Sequence, residues 1–442
     1  MQFAKEGRLA IDEGDRSTDA ALGGDRSAGC PRQPEIGVIA LVPDTWGPQW
    51  QVRQHVLTRL AEHFHVVWMN PPRHWRELWR RDRRPTGELG DDLPAGFTVY
   101  TPPVWLSRTH RFPALSRWSL GKQLRHARSI LAARGAKRIV LYLWRPEFAD
   151  ALEFGPYDLT CYHIDDEYSF SLVEVEMSPE ERGLMRQVDQ VFIHSPGLME
   201  KKGHVNPQTE FVPLGVDFEL YSARRPEPPD LCSIPHPRIG YIGVLKRTLD
   251  WPLLTYLIGE HPEWSFVFLG PQAPHEDIRA PIEALSRQPN VHFLSARPTS
   301  ELGAYPQHLD VCIMPYVLND YARYGYPLKC HEYLAGGRPV VGCRMRTLED
   351  LEEVVLLAET HSEWEDRLRR AISPEEQGSE RTSARQAVAR RHDWKGLVET
   401  IATCMEARLE APTGNAGAQA SKPSPIRRNP EGPHHAPSLH EG

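Results

Sequence analysis

The chain alternates between short apolar runs and longer stretches in which apolar residues recur at helical spacing. In the first half the runs are rich in Val, Ile, Leu and aromatic residues, as buried parallel strands are. Since a turn and a helical stretch follow most runs, the pattern predicts parallel strands joined by crossover helices. The strands predicted in this half are 36–42, 65–69, 97–100, 138–143, 159–163 and 190–194.

A second series of strands begins after the proline-rich stretch 225–237. The predicted strands are 238–242, 265–269, 291–294, 311–314 and 339–341, and the helices between them are 251–260, 278–287, 300–308 and 328–335. Two such series predict an α/β chain with two Rossmann-like, doubly wound domains in tandem. Ligands of such sheets bind beyond the carboxyl ends of the strands, so we expect the site in the cleft between the domains.

Composition divides the chain further. Residues 1–35 and 411–442 are rich in small and polar residues without periodicity, and we expect disordered tails there. The N-terminal domain is predicted at 36–217, a linker at 218–237 and the C-terminal domain at 238–380. The C-terminal domain ends in an acidic segment at 349–380, and a closing helix is predicted at 381–410.

Length and composition exclude several classes of protein. The 442 residues are 40% hydrophobic and 25% charged, an ordinary balance for globular domains. The longest apolar runs fall far short of the ~20 residues that a membrane-spanning helix needs. The first residues lack a signal-peptide core, so we expect a cytoplasmic protein. Seven cysteines without a CxxC pair suit reduced thiols and indicate no zinc site.

The net charge of −7 hides an asymmetry within the first domain. Residues 36–138 carry 17 basic and 7 acidic side chains, whereas residues 139–217 carry 5 and 15. The basic part includes 73–84, with two tryptophans among six arginines, and 108–138, with nine basic and no acidic residues. Such a surface suits anionic lipid headgroups. A solvated face, or core tryptophans flanked by charge, is the alternative. The acidic second domain and the lack of a recognition module argue against nucleic acid.

The stretch 310–341 carries the clearest chemistry. A buried strand ends near Pro315, and Pro327 can begin a helix whose first backbone N–H groups face the cleft. With Lys329 in its first turn, such a helix start suits a diphosphate. Glu332 lies near the same end, where a carboxylate can accept hydrogen bonds from two ribose hydroxyls. The alternative is an ordinary surface pair of Lys329 and Glu332.

The motif Pro327-Leu-Lys-x-x-Glu-Tyr-Leu-Ala-Gly-Gly-x-Pro-Val-Val341 resembles the donor-binding signature of group 1 glycosyltransferases with the GT-B architecture, close to the teichuronic acid biosynthesis type. Segments at 212–217, 237–243, 264–271 and 290–294 resemble companion blocks of that family in order, and 50–55 and 166–168 are weaker matches. The resemblance covers nearly all of 36–345. It implies two Rossmann-like domains facing a cleft, with a C-terminal helix that packs back toward the N-terminal domain.

The resemblance also implies roles for single residues. Lys329 would contact the donor diphosphate, Glu332 the ribose and Arg297 the nucleobase, while basic groups after 238–243 would face the leaving group. One position departs from the family pattern, because many retaining relatives have a Glu where this chain has Tyr324. The residues implied for donor binding are Lys329, Glu332, Gly325, Pro327, Leu328, Lys246, Arg247 and Arg297.

Three residues at strand ends of the first domain are candidates for catalysis. Asp166 belongs to the dense carboxylate cluster 165–167 and could orient or deprotonate an acceptor hydroxyl, although a solvated turn is the alternative. His163 could act as a base, although such a histidine is more often part of a core or rim. Arg145 is the third candidate. No Asp-x-Asp pair occurs in the chain, so neither a metal nor another cofactor is expected.

The sequence therefore predicts a transferase that moves a sugar from a nucleotide-diphosphate sugar to a saccharide or lipid-linked glycan in cell-surface polysaccharide synthesis. We expect a metal-independent reaction, a peripheral contact with an anionic membrane at its inner face, and no nucleic acid partner. Tyr324 leaves a non-catalytic sugar-nucleotide-binding or scaffold protein as an alternative. A sugar-nucleotide epimerase of the same architecture is a third.

Overall fold

The computed structural model describes residues 30–47, 50–72, 93–106, 113–168, 175–273, 278–319 and 322–411. Within them the chain forms two parallel β-sheets with helices between the strands. The predicted α/β architecture with two Rossmann-like domains is thereby confirmed. The basic segment 73–84 lies outside the described residues, as do 1–29 and 412–442.

The first sheet has its seven described strands in the order β3-β2-β1-β4-β5-β6-β7, and all neighbours pair in parallel. Their order reverses between β1 and β4, which marks the expected position of a ligand at the carboxyl edge. The sequence pattern did not predict β7, because its three residues are at most half-buried and form no apolar run. The strands are β1 (Ile36–Leu41), β2 (His65–Met69), β3 (Phe97–Tyr100), β4 (Arg138–Leu143), β5 (Leu159–Ile164), β6 (Gln190–Ile193) and β7 (Thr209–Phe211).

The second sheet has the strand order β10-β9-β8-β11-β12-β13, again in parallel. Its order reverses between β8 and β11. The edge strand β13 lies in the acidic segment 349–380, where the sequence analysis placed no element; its four residues are all buried. The strands are β8 (Arg238–Ile242), β9 (Ser265–Leu269), β10 (Val291–Leu294), β11 (Val311–Met314), β12 (Val340–Cys343) and β13 (Val355–Ala358).

Several helices begin where the sequence offers a capping residue. Ser178, Ser195 and Asp250 each accept a hydrogen bond from a backbone N–H in the first turn of the following helix, and proline follows within two residues. The helices are α1 (Val52–Leu60), α2 (Pro113–Ala133), α3 (Pro179–Gln187), α4 (Pro196–Lys202), α5 (Phe218–Ser222), α6 (Trp251–Glu260), α7 (Arg279–Leu285), α8 (Thr299–Leu302), α9 (Ala304–Gln307), α10 (Lys329–Ala335), α11 (Arg346–Glu349), α12 (His361–Ile372), α13 (Pro374–Gln377), α14 (Ser379–Arg391) and α15 (Trp394–Glu410).

The segment predicted as a linker packs into the second domain. Leu231 is fully buried and Ile234 is 4% exposed, and both belong to the apolar core around β8 and β9. Arg238 of β8 donates a hydrogen bond to the Ile234 carbonyl (2.8 Å). The prolines of 225–237 therefore shape a buried turn rather than a free connection, and α5 occupies the first part of the segment.

The closing stretch consists of two helices where one was predicted. α14 packs on α10 of the second domain, whereas α15 contributes Trp394, Val398 and Ile401 to the core of the first. The break lies at 392–393, where the chain crosses between the domains. There His392 accepts a hydrogen bond from the Val216 N–H (2.9 Å), and the Trp394 N–H returns one to Val216 (3.0 Å). The two crossings of the chain between the domains are thus paired.

None of the described helices has the length and apolar character that crossing a bilayer requires. The seven cysteines all lie among the described residues, and none of them forms a disulfide. The start of the described chain is also better packed than a tail. Arg32, placed in the disordered tail by the sequence analysis, donates from its backbone to Glu62 (3.0 Å) and pairs with Glu399 of α15 (2.8 Å).

Candidate active site

Two glycines at the carboxyl edge of the second sheet make room for a lysine. Gly243 follows β8 with a φ of +144°, in the region that favours glycine. A Cβ atom there would overlap Cε of Lys329 and lie 2.7 Å from its amine. Gly270 follows β9 with a φ of +141°, and its Cβ would collide with the Gly243 carbonyl. The Lys329 amine therefore lies directly against the end of β8.

A tyrosine fixes α10, the helix that carries Lys329, to the same strand. The Tyr333 hydroxyl accepts a hydrogen bond from the Ile242 N–H (2.8 Å) and donates one to the Ile242 carbonyl (3.3 Å). Lys329 Nζ lies 5.6 Å from the centre of the Tyr241 ring. α10 has seven residues and begins at Lys329, one residue later than predicted. Because α10 is short, the positive charge at this position comes from the Lys329 side chain more than from a helix dipole.

The loop before α10 uses one of the N–H groups that were expected to be free. The Gly325 N–H donates to the Ala322 carbonyl (3.2 Å), and the Gly325 carbonyl accepts from the Thr347 hydroxyl (2.7 Å). Pro327 has no N–H, and Leu328 is the residue that caps α10. Gly325 and Pro327 therefore shape the loop that positions Lys329.

Glu332 lies one turn beyond Lys329 and has a protein partner that the sequence did not indicate. The buried Tyr221 of α5 donates a hydrogen bond to the Glu332 carboxylate. Burial raises the pKa of Glu332, and the Lys329 charge and the Tyr221 hydroxyl oppose that change. The carboxylate is thus held in place, at an energetic cost when it is ionised without a ligand.

Lys246 connects the two sides of the cleft electrostatically. Desolvation and then the nearby Lys329 charge lower the pKa of Lys246, whereas Asp166 of the first domain raises it. Lys246 is therefore within electrostatic range of both the donor lysine and the acceptor-side carboxylate. Lys246 and the next residue, Arg247, both retain contact with solvent. The charges of Lys329 and Asp166 thus both act on Lys246.

In the first domain, the two adjacent aspartates after β5 have different surroundings. Asp165 pairs with Arg53 of α1 (2.5 Å) and accepts a hydrogen bond from the Tyr168 hydroxyl, so its charge is neutralised within the domain. Asp166 accepts from the backbone N–H of Glu167 (2.8 Å), and its charge acts on Lys246 across the cleft. Of the two aspartates, Asp166 is therefore the one whose charge acts on Lys246 of the second domain.

Arg145 lies beside this pair of aspartates. Its guanidinium stacks on the Tyr168 ring, with 4.3 Å to the ring centre. Desolvation alone would lower the pKa of Arg145, but Tyr168, Asp165 and Asp166 raise it by a larger amount. The pKa of Arg145 therefore lies above its ordinary value. The structure therefore brings Arg145 and Asp166 together at the carboxyl ends of β4 and β5. In the described part of the chain, no three His, Cys, Asp or Glu side chains form a group that could hold a metal ion.

The histidines at these strand ends lie in the core. His163 is 1% exposed; its ring stacks on Trp144 at 4.3 Å, and its Nδ1 shares a hydrogen bond with the Tyr142 hydroxyl (2.9 Å). Desolvation lowers the pKa of His163 well below its usual range. The interpretation of His163 as a core residue thus fits better than that of a catalytic base, because an acceptor has no access to the ring.

A buried ion-pair cluster that the sequence does not predict lies behind Asp166. Lys202 of α4 lies 2.8 Å from Glu181 of α3 and 3.0 Å from Glu167, and the three side chains are at most 1% exposed. Tyr162 of β5 donates to Glu181 (3.2 Å). These contacts anchor the 165–168 loop from beneath. A Lys-Lys pair at 201–202 looks like a surface feature, so nothing in the sequence pointed to this cluster.

Arg297, expected near the nucleobase, has protein partners in the second domain. Its guanidinium pairs with Asp230 (2.7 Å) and donates to the Tyr305 hydroxyl (2.9 Å). Asp230 belongs to the packed proline-rich segment. Arg297 therefore fastens that segment to the end of β10, and its contact with a base remains a prediction.

Tyr324, the position that departs from the family pattern, forms a contact between the domains. It is 3% exposed and belongs to an apolar cluster with Ile193 and Leu198 of the first domain. The Lys201 amine lies 4.8 Å from the centre of its ring. Next to it, a Cβ on Gly197 of α4 would collide with the Arg323 carbonyl. The ring thus occupies a close junction of α4 with the loop before α10.

Comparisons with known proteins bear on the family and the fold of the chain. Residues 236–373 match the family model described as glycosyl transferases group 1. Over 143 residues the chain is 34% identical to TuaH of Bacillus subtilis, a protein named as a teichuronic acid biosynthesis glycosyltransferase. The match spans 31% of this chain and 35% of TuaH, about a third of that relative's length.

Solved structures resemble most of the chain. HepE of Anabaena, in complex with UDP, aligns with a TM-score of 0.61 and 14% identity, over 84% of this chain and all of HepE. An E. coli trehalose-6-phosphate protein bound with UDP-2-fluoro glucose aligns with a TM-score of 0.59 and 13% identity. That alignment covers 85% of this chain and 99% of the E. coli protein. At these identities the likeness establishes the fold. The C-terminal domain therefore resembles the group 1 glycosyltransferases, and the two domains together have the GT-B fold.

Proposed function

We propose that the protein transfers a sugar from a nucleoside-diphosphate sugar to an acceptor held by the first domain. The observation that carries this proposal is the Lys329 amine against Gly243, with Lys246 beside it and Asp166 across the cleft. HepE and the E. coli protein, which have the same fold, were solved with UDP or a UDP sugar. That supports a nucleoside diphosphate as the ligand of this chain's donor domain.

The two lysines suit the leaving group of such a reaction. Glycosyl transfer builds positive charge on the sugar and negative charge on the departing diphosphate. Amines fixed beside the diphosphate stabilise that transition state, and the loss of one such group typically costs ~2.7 to 4 kcal/mol. Lys329 and Lys246 supply this charge in the proposed reaction without a metal ion. Glu332, oriented by Tyr221, is proposed to accept hydrogen bonds from the ribose.

On the acceptor side, we propose that Asp166 takes the proton of the attacking hydroxyl group. Its carboxylate would accept a hydrogen bond from the attacking hydroxyl, and Arg145 would hold the acceptor at the strand ends. The buried Glu167–Lys202 pair keeps the Asp166 loop in place during this step. Closure of the cleft would exclude water and so limit hydrolysis of the donor.

For the acceptor we propose a saccharide or lipid-linked glycan of a cell-surface polysaccharide, reached at the inner face of the cell membrane. The name of TuaH supports the polysaccharide. The surface formed by α2 and the 3₁₀ helix Val104–Leu106 supports the membrane contact, because Trp105 and Trp118 are 68% and 47% exposed with their ring centres 6.2 Å apart. Lys122 and Arg125 are exposed on α2. Indole rings beside cations suit an anionic interface.

Release of nucleoside diphosphate from a panel of UDP, GDP and ADP sugars tests the proposal, with and without a membrane-lipid extract as acceptor. A transferase releases diphosphate in an acceptor-dependent manner, and the Lys329→Ala variant should lose that activity. Binding without release under any condition would favour the scaffold alternative. Conversion of the donor sugar without acceptor would favour the epimerase.

A further inference from the structure

A cavity of about 510 Å³ opens at the carboxyl edge of the first sheet. It lies where the strand order reverses, between the ends of β1 and β2 and the segment that follows β4. One wall is the first half of α2, and the opposite wall is the 3₁₀ helix Pro146–Phe154. The site described above does not use this space.

The floor of the cavity is apolar. Leu41, Val42 and Met69 at the strand ends are at most 5% exposed, and Leu120 and Phe148 extend this surface up the two walls. The charged residues that line the cavity are exposed at its rim, namely Arg117, Glu147, Asp150 and Glu180.

The polar side chains near the floor already have partners within the protein. The side-chain oxygen of Asn70 accepts hydrogen bonds from the Trp46 backbone N–H (2.8 Å) and the Trp68 indole N–H (2.9 Å). The side-chain NH₂ group of Asn70 donates to the Thr101 hydroxyl (2.8 Å). Ser119 donates to the Leu106 carbonyl (2.7 Å), and Gln123 donates to Ser119 (3.0 Å). A sugar placed at this depth would lose hydrogen bonds to water without replacing them, whereas a hydrocarbon would not.

The cavity lies between the catalytic cleft and the exposed face of α2. The wall at 146–154 begins directly after Arg145, which stacks beside Asp165 and Asp166. On α2, Ser116 and Leu120 face the cavity, while Leu115 and Trp118 are 49% and 47% exposed on the neighbouring face. An amphipathic molecule could thus contact the exposed tryptophans, the cavity and the cleft together.

We infer that this cavity binds the apolar anchor of the acceptor, which makes the acceptor a lipid-linked glycan rather than a free saccharide. The inference rests on the proposed function, since it assumes that the first domain holds an acceptor. The hydrocarbon nearest the glycan lies on the apolar floor, and the glycan passes the charged rim toward Asp166.

Binding of n-octyl β-D-glucoside below its micelle concentration, compared with methyl β-D-glucoside, tests the inference by calorimetry. The octyl compound should bind and the methyl compound should not. Ala149→Trp fills the cavity from the 146–154 wall, and excluding two methylene groups already weakens binding about tenfold. Ala132→Trp, at an exposed position of α2 that does not line the cavity, is the matched control and should bind as the parent does.

Two readouts keep the inference separate from the proposed function. Nucleoside diphosphate binding to the second domain should be unchanged in Ala149→Trp, and this binding also shows that the variant is folded. If Ala149→Trp does not fold, Ala149→Leu takes its place and should weaken binding of the octyl compound by a smaller factor. Equal binding of the two glucosides, or octyl binding that survives filling of the cavity, would overturn the inference even if the diphosphate binds. A parent protein that binds the octyl compound but no diphosphate would instead contradict the proposed function.

Discussion

Two amines within electrostatic range of each other mark the proposed donor site. The pKa of Lys246 is lowered first by desolvation and then by the nearby charge of Lys329, while Asp166 of the other domain opposes that change. Such a pair is unfavourable when no anion is bound. A diphosphate between the two amines would remove this repulsion, which is why we propose an anion with two or more negative charges as the ligand.

Gly243→Ala tests the close packing of Lys329. The new Cβ would overlap the flexible end of Lys329, which can move away, while the positive φ adds strain of about 1–2 kcal/mol. We expect diphosphate affinity to fall by more than that loss of stability, measured by calorimetry and by thermal unfolding. Gly259→Ala in α6 is the control: no atom lies near the added methyl group, so stability should rise slightly and affinity stay constant.

Glu332→Gln should separate stability from binding. Burial raises the folded-state pKa of Glu332 above its unfolded value near 4.5, so ionisation lowers stability as pH rises through that range. The variant should therefore gain stability relative to the parent as pH increases from about 4 to about 7, while it binds nucleotide more weakly.

Thermal unfolding over a pH series, with and without nucleotide, checks the effect of Glu332→Gln. Glu301→Gln at an exposed position of α8 is the control. A stability difference that does not change with pH, together with unaltered nucleotide binding, would remove Glu332 from the site.

Among the elements, the apolar runs of the sequence predicted most of the strands. The bounds of β8, β9, β10 and β11 agree with prediction, since buried strands need continuous hydrophobicity. β13 was missed because four apolar residues among acids carry little signal. The closing helix was split at 392–393, where the pairing with Val216 interrupts it. That pairing depends on residues far apart in sequence.

The exposed tryptophans of α2 and of the 3₁₀ helix Val104–Leu106 lead to a prediction about membranes. Replacing Trp105 and Trp118 together by serine should weaken binding to vesicles containing phosphatidylglycerol by more than tenfold, because each indole buries a large apolar surface. Binding of the parent should weaken with salt, since Lys122 and Arg125 contribute charge. Phe211→Ser, 38% exposed on β7, is the control in the sedimentation assay. Parent protein that does not bind such vesicles would contradict the membrane contact.

For the whole molecule, the contacts between segments that lie far apart in the sequence could not be predicted. The motif identified Lys329 and Glu332 because their spacing is local. The Tyr221 partner of Glu332, the Asp230 partner of Arg297 and the buried Lys202 cluster depend on tertiary contacts between distant segments. Tyr324 looked like the loss of a sugar contact, whereas the structure shows a ring packed between the domains.

Tyr324→Glu should therefore loosen the junction of the domains. A carboxylate in this buried position loses hydration and the apolar contacts of the ring, so we expect a destabilisation of roughly 1–3 kcal/mol. Hydrogen exchange should increase in α4 and at 322–324, whereas Tyr324→Phe should resemble the parent. Unchanged exchange in the Glu variant would show that Tyr324 does not hold the domains together.

Calorimetric titration of UDP, GDP, ADP and CDP into the parent and Lys329→Ala tests whether Lys329 holds the donor diphosphate. At least one diphosphate should bind the parent, and the variant should bind it at least about tenfold more weakly, as expected for a lost charge-assisted contact. Thermal stability without ligand should be retained, and Lys395→Ala, an exposed lysine of α15, should bind as the parent does. Equal affinity of parent and Lys329→Ala, or a parent that binds none of the four, would contradict the account.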